Sequence, residues 1–215
     1  MKHILTAGLL SAALCASSYA QADDSAELKQ ALTDLTSLDT AFSQQVFDPQ
    51  GQLVSESAGQ LQLEQPRKIR WQQDTPDETL FVSNGVQSIY FDPFAEQVTL
   101  LDTDTLIASS PFILLTTNDA SLWQKFDISK VDGGYSVTPK AQEQGQVEQL
   151  TLLFNGDDQV SAVEVLDKSG QRSRFTFTTP VLNQDIADSV FEFTIPEHVF
   201  VDDQRQQSGT QVSGE

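Results

Sequence analysis

Residues 59–71 read Gly59-Gln60-Leu61-Gln62-Leu63-Glu64-Gln65-Pro66-Arg67-Lys68-Ile69-Arg70-Trp71. Leu61, Leu63, Ile69 and Trp71 alternate with polar neighbours, which is the two-residue period of a strand with one dry face. Further on, Thr79 to Val82 and Ile89 to Phe91 flank Asn84-Gly85. That dipeptide signals a hairpin, because a type I′ turn needs positive φ at both central residues. A sheet with so many large apolar residues and no obvious reactive group points to a container rather than a catalyst.

Working outward, the alternation continues. Strands are expected at Gln97–Asp102, Phe126–Asp132, Tyr135–Thr138, Glu148–Phe154, Val160–Asp167, Ser173–Thr178 and Phe191–Thr194. Asp132-Gly133-Gly134, Asn155-Gly156-Asp157 and Lys168-Ser169-Gly170 mark turns between them. Many strands with short connections predict a mainly β (α+β) fold: a strongly curved, mostly antiparallel sheet. Before it, Asp24 and Glu27 form a helix-starting pair, and Leu28, Ala31, Leu32, Leu35 and Leu38 recur at helical spacing. One segment breaks the strand rhythm. Ser109-Ser110-Pro111 opens a short helix, and Phe112-Ile113-Leu114-Leu115 is apolar on nearly every side. Such a helix is either plain core or a cover over something apolar.

The first twenty residues have the order of an export leader. Lys2 supplies the positive start, Ile4 to Leu14 is a short apolar run, and Ser18-Tyr19-Ala20 offers small residues for cleavage. Cleavage after Ala20 or after Ala22 fits equally. Cys15, preceded by Leu14, poorly suits a lipoprotein signal, so it reads as filler within the removed segment. Residues 21–205 then form one domain, and 206–215, rich in Gln, Ser and Gly, a polar disordered tail. The 12 Lys and Arg face 31 Asp and Glu, a formal net charge of −19. That balance disfavours nucleic acid and anionic bilayers as partners and serves solubility. Arg67-Lys68-Arg70 is a local exception: a docking site for an acidic partner face, or ordinary solvated sheet charge.

The chemistry of catalysis is sparse. Beyond the leader there is one histidine, His198, no cysteine, no Gly-x-Ser-x-Gly elbow and no phosphate-cradling loop. Asp102-Thr103-Asp104 and Asn155-Gly156-Asp157-Asp158 lack the spaced loop and closing Glu of tight calcium sites. The expectation is a non-enzyme with no cofactor and no metal.

Gly-x-Leu-x-Leu-x-x-Pro-x-x-x-x-Trp followed by Phe91-Asp92-Pro93-Phe94-Ala95-Glu96-Gln97 resembles the periplasmic outer-membrane lipoprotein carriers of the LolA family. Ser110-Pro111-Phe112-Ile113-Leu114-Leu115, Trp123, Thr138-Pro139-Lys140 and Val201-Asp202-Asp203-Gln204-Arg205 follow in matching order. The resemblance implies an incomplete β-barrel with an N-terminal helix and short lid helices over an apolar cavity. It implies a monomeric periplasmic chaperone that binds the acyl chains of triacylated lipoproteins released by an ATP-driven inner-membrane complex (LolCDE type). The cargo then passes to the outer-membrane receptor LolB. Leu61, Leu63, Ile69, Trp71, Val82, Phe91, Phe112, Leu114 and Leu115 are the expected lipid-binding residues. The family's usual arginine before Pro66, which holds the lid region, is Gln65 here, so either the latch is weaker or Arg67 substitutes. A related half-barrel lipid or glycolipid shuttle, or a lipid-sensing domain, is the alternative.

Overall fold

A computed structural model describes residues 17–102, 115–117, 119–140 and 146–205, with side chains from Asp24 onward. The leader through residue 16, Phe112 and Leu114 of the apolar run, Asp104 and the tail 206–215 lie outside the described residues. Helix α1 (Ser17–Thr33) precedes β1 (Ser37–Phe47), β2 (Leu53–Glu64), β3 (Lys68–Thr75), β4 (Thr79–Asn84), β5 (Gln87–Asp92) and β6 (Gln97–Asp102). A one-turn helix α2 (Ala120–Trp123) leads into β7 (Phe126–Val131), β8 (Gly134–Pro139), β9 (Val147–Phe154), β10 (Val160–Asp167) and β11 (Arg172–Leu182). A 3₁₀ turn (Asp188–Phe191) and β12 (Phe200–Asp203) close the described chain.

The twelve strands among the described residues lie in one curved sheet, ordered β12-β6-β5-β4-β3-β2-β1-β11-β10-β9-β8-β7. Two antiparallel meanders, β1–β6 and β7–β11, are sewn together where β1 pairs with β11. β12 returns to lie parallel to β6. The sheet is open, since β12 and β7 stand at opposite ends of this order. The expected incomplete barrel is therefore what forms.

Side chains secure the turns. Asp48, Asn84, Asn155 and Asp167 each accept two backbone N–H groups from the residues just beyond them. The Asn84-Gly85 hairpin forms, but only Gly85 takes a positive φ, 90°. Asn84 instead uses its side-chain oxygen on the Val86 and Gln87 amides, so the turn is not the expected type I′. Two element predictions also shift. The helical stripe expected to reach Leu38 stops at Thr33, because Ser37 onward pairs with β2, and Leu38 joins the core from a strand. Phe191–Thr194 is no strand: Phe191 ends the 3₁₀ turn and is buried, and no neighbouring strand pairs with the segment.

The expected start at Asp24 lies inside α1, where its carboxylate accepts the Lys130 backbone N–H at 2.9 Å. One turn on, Glu27 receives the Lys130 ammonium at 2.7 Å. These contacts seat α1 on the β7 edge and blunt that end of the sheet. Lys130, then the Tyr135 hydroxyl, hold the Glu27 carboxyl below its ordinary range. A depressed carboxyl stabilises at pH above its unfolded value and loses that contribution as pH falls through the depressed one. Faster amide exchange in α1 than in β1 is expected below about pH 4, read by hydrogen exchange across a pH series.

Gly59 and Gly134 mark equally tight backbone approaches within the sheet. A Cβ at Gly59 would sit 1.9 Å from the Gln72 carbonyl oxygen. Gly59→Ala is expected to cost about 3 kcal/mol, lowering the thermal midpoint by roughly 6–12 °C in a calorimetric scan.

Candidate functional site: an apolar inner face and its latch

Register decides which side chains meet. Across β1, β2 and β3, Leu38 faces Leu63 and then Ile69, and Thr40 faces Leu61 and then Trp71. Phe42 lies opposite Gly59. Phe42 stacks at 4.3 Å centroid distance on Trp71, and Trp71 meets Phe175 of β11 edge-on at 5.2 Å. Each such aromatic pair adds about 0.5–1.5 kcal/mol beyond the area it buries. This trio bridges the seam between the meanders and makes one inner face. Phe177, Val163, Leu150, Leu152, Val137 and Ile128 extend it toward β7. Ile69 and Trp71 are only half-buried, and Tyr90, which shares their face through Phe81, is exposed.

Helices cover much of this face. Leu28 and Leu32 of α1, Leu35 just after it and Trp123 of α2 join the same core, and Leu115 is 3% exposed within it. Trp123 anchors α2 by donating its indole N–H to the Thr117 carbonyl at 3.2 Å.

The β2–β3 turn clasps that cover. Gln65 donates its side-chain amide to the carbonyls of Leu35 (2.7 Å) and Leu32 (3.3 Å) at the end of α1. Its backbone N–H reaches the Thr36 carbonyl at 2.9 Å. Two residues on, the Arg67 N–H donates to the Thr116 carbonyl at 3.0 Å, with Arg67 at a φ of 66°. The turn thus ties α1 to the segment carrying Leu115. Asp119 caps α2. The Ser121 hydroxyl and N–H, then the Arg67 charge, hold its carboxyl below the ordinary range.

The opposite face is sealed differently. Arg70 pairs with Val82, Val82 with Ile89, and Leu80 with Phe91. Val82 and Phe91, expected beside Trp71, therefore stand behind it, because Trp71 itself pairs with Phe81 and fixes the phase. Val82, Ile89, Val98 and Leu100 form a second core under Phe193 and Val199, with Phe193 stacked 5.2 Å from Phe91. Lys68 binds Glu64 and Asp188, each at 2.6 Å, and lies 5.6 Å from the Phe191 ring centre. Asp188 first, then Glu64, raise its pKa above the usual lysine value. Arg70 donates to the Val190 carbonyl at 3.3 Å. The basic trio is thus split: Lys68 and Arg70 hold the C-terminal strap, and Arg67 sits at the latch.

Leu61, Leu63, Ile69, Trp71 and Leu115 thus come together, and Phe42 and Phe175 join them although sequence reasoning did not single them out. Their signal was present in the alternation of Leu38, Thr40 and Phe42 and of Phe175 and Phe177. His198 is exposed beside Glu197, and among the described residues no three His, Cys, Asp or Glu side chains gather as a metal site. No described helix is long and apolar enough to cross a membrane.

Comparison with known proteins places this architecture. A curated outer-membrane lipoprotein carrier protein of Pseudoalteromonas translucida is 49% identical over 184 residues, covering 85% of this chain and 88% of that protein. Its counterpart from Shewanella loihica is 37% identical over 192 residues, covering 89% and 90% respectively. A crystal structure of a DUF1329 family protein from Desulfovibrio piger shares the fold at 12% identity and a TM-score of 0.50, covering 81% of this chain and 96% of that one. The model of the outer membrane lipoprotein carrier protein LolA matches residues 33–194, and the chain belongs to that family.

Proposed function

We propose that this protein is a periplasmic chaperone that takes up the acyl chains of lipoproteins released from the inner membrane and carries them to an outer-membrane receptor. The observation that supports this best is the continuous apolar inner face, from Ile69 and Trp71 across Phe42 to Phe175 and Val163, on a chain of the carrier family. Each methylene kept from water is worth about 0.8 kcal/mol, so one acyl chain of ordinary length is worth on the order of 12 kcal/mol. Lipids so anchored do not cross water alone. A non-directional apolar wall accepts chains of varied length, and it needs no catalytic group.

Export removes the leader after Ala20 or Ala22. The carrier acts as a monomer, charged by an ATP-driven inner-membrane complex of the LolCDE type and discharged to LolB. Leu61, Leu63, Ile69, Trp71 and Leu115 are the binding wall, and Phe112 and Leu114 bind lipid with them. Arg67, Lys68 and Arg70 serve less as a docking patch than as internal fasteners, given the partners described above. Gln65 and the Arg67 backbone form the latch. Loading requires the cover to rise, and the work of breaking these bonds sets how readily cargo is later surrendered.

The purified exported protein is expected to hold a triacylated lipopeptide in a soluble 1:1 complex, and Trp71→Gln with Phe175→Gln to lose most of it. An inability of the native protein to keep the lipopeptide soluble on gel filtration would end the carrier reading. Gln65→Arg places a charged, forked donor at the Leu32 and Leu35 carbonyls. It is expected to slow transfer to the receptor several-fold, measured as lipoprotein handed over with time.

A further inference from the structure

The most exposed aromatic residues gather at one corner of the sheet. Phe94 is 92% exposed at the tip of the β5–β6 hairpin, and Phe200, the first residue of β12, is 66% exposed. Val201 beside it is 41% exposed. The pairing brings them together: Phe200 faces Gln97, Gln97 faces Asp92, and the Phe200 N–H donates to the Glu96 carbonyl at 2.8 Å. The tip is held firmly, because Asp92 accepts the Ala95 N–H at 2.9 Å and the Glu96 N–H reaches the Pro93 carbonyl at 3.3 Å. By register, Phe200 shares the face of Tyr90 and Trp71, at its outermost margin. The corner is rimmed by Asp92, Glu96, Glu197 and Asp202, and no lysine or arginine pairs with any of these four.

Scattered apolar residues are normal on protein surfaces, but two exposed phenylalanines brought to one corner, beside four carboxylates that hold no lysine or arginine, are not scatter. We propose that Phe94 and Phe200 form a docking knob for the protein partners of the handoff, inserting into an apolar pocket rimmed by lysine or arginine. This rests on the carrier reading above. Acidic rims steer basic partners and repel anionic bilayers, which favours a protein over a lipid surface. Size argues for a brief contact. Two phenylalanines bury on the order of 300–500 Å², short of the ~800 Å² per partner of a durable complex. A carrier that must leave each partner after exchanging cargo needs such a contact. Rigid aromatics give it focus at little entropic cost.

The test uses the full exported chain and a Phe94→Ser/Phe200→Ser variant. Both positions are solvent-facing, so folding is expected to persist, and matched melting curves check it. Lipopeptide loading is expected to be unchanged. Association with the purified outer-membrane receptor, or with the inner-membrane release complex in proteoliposomes, is expected to fall at least roughly tenfold. Glu96→Lys with Asp202→Lys should weaken the same association, and added salt should weaken that of the native chain. Native-level association of the Phe variant with both partners overturns the knob while leaving the carrier reading intact. Loss of binding to phosphatidylcholine vesicles instead of to protein overturns the choice of partner. Failure of the native chain to load lipopeptide, read in the first step, removes the reading on which the knob rests.

Discussion

The seam between β1 and β11 is the constraint on which the rest depends. β1 pairs with β2 on one side and, across a register shift between Asp39 and Ala41, with β11 on the other. Because a strand's side chains alternate strictly, this double register forces Leu38, Thr40 and Phe42 onto one face and sets the phase of both meanders. Phe42 then reaches Trp71 on one flank and Phe175 on the other. Gly59, opposite Phe42 on β2, lets that strand run close against the β3 backbone, where a Cβ would meet the Gln72 carbonyl. A one-residue slip at the seam would turn the aromatic trio out of the core and divide the inner face in two.

The two faces of the sheet are closed by contacts of different kinds, and the difference bears on mechanics. Behind β3–β6, the strap from Asp188 to Val199 is fixed by a second core and by Lys68 gripping two carboxylates. In front, α1 and the Leu115 segment are held by apolar contact and by a few hydrogen bonds from the β2–β3 turn. Hydrogen bonds of this sort are worth about 0.5–1.5 kcal/mol each, and they can break without disturbing the ladder beneath. α1 has in addition its own ion pair, Lys130 with Glu27, at the β7 edge. The strap is thus fastened to the start of β3, and the front elements at the β2–β3 turn and the β7 edge.

Much of this was legible in the sequence because the signals were local. Period-two alternation placed Leu61, Leu63, Ile69 and Trp71 on one face, and turn residues delimited β6 and β10 to the residue. What failed was non-local. Whether Val82 or Phe81 joins Trp71 depends on the length of the β3–β4 connection, and a change of one residue would have reversed the answer. Phe191 to Thr194 alternates like a strand, yet it pairs with none, and its aromatics pack as a strap across the sheet, Phe193 on Phe91. Phe42 and Phe175 were visibly apolar, but their meeting needed the seam. Gln65 was singled out only through resemblance, and its carbonyl acceptors lie at a helix end that the sequence pattern, running on to Leu38, placed five residues too late.

Gln65 stands where the resemblance implies an arginine, and the two side chains differ in the contacts they can make at the end of α1. An arginine there would bring a delocalised charge and a fork of donors to two carbonyls at a helix C-terminus, where the backbone dipole favours positive charge. Glutamine reaches the same two carbonyls with neutral donors. It forfeits the dipole contribution, which is typically a few tenths of a kcal/mol to 1 kcal/mol, and part of each bond. The Arg67 backbone N–H meanwhile holds the Thr116 carbonyl, and its side-chain charge acts beside Asp119 at the start of α2. Contacts from one short turn therefore reach both covering elements, the end of α1 through Gln65 and the Leu115 segment through Arg67.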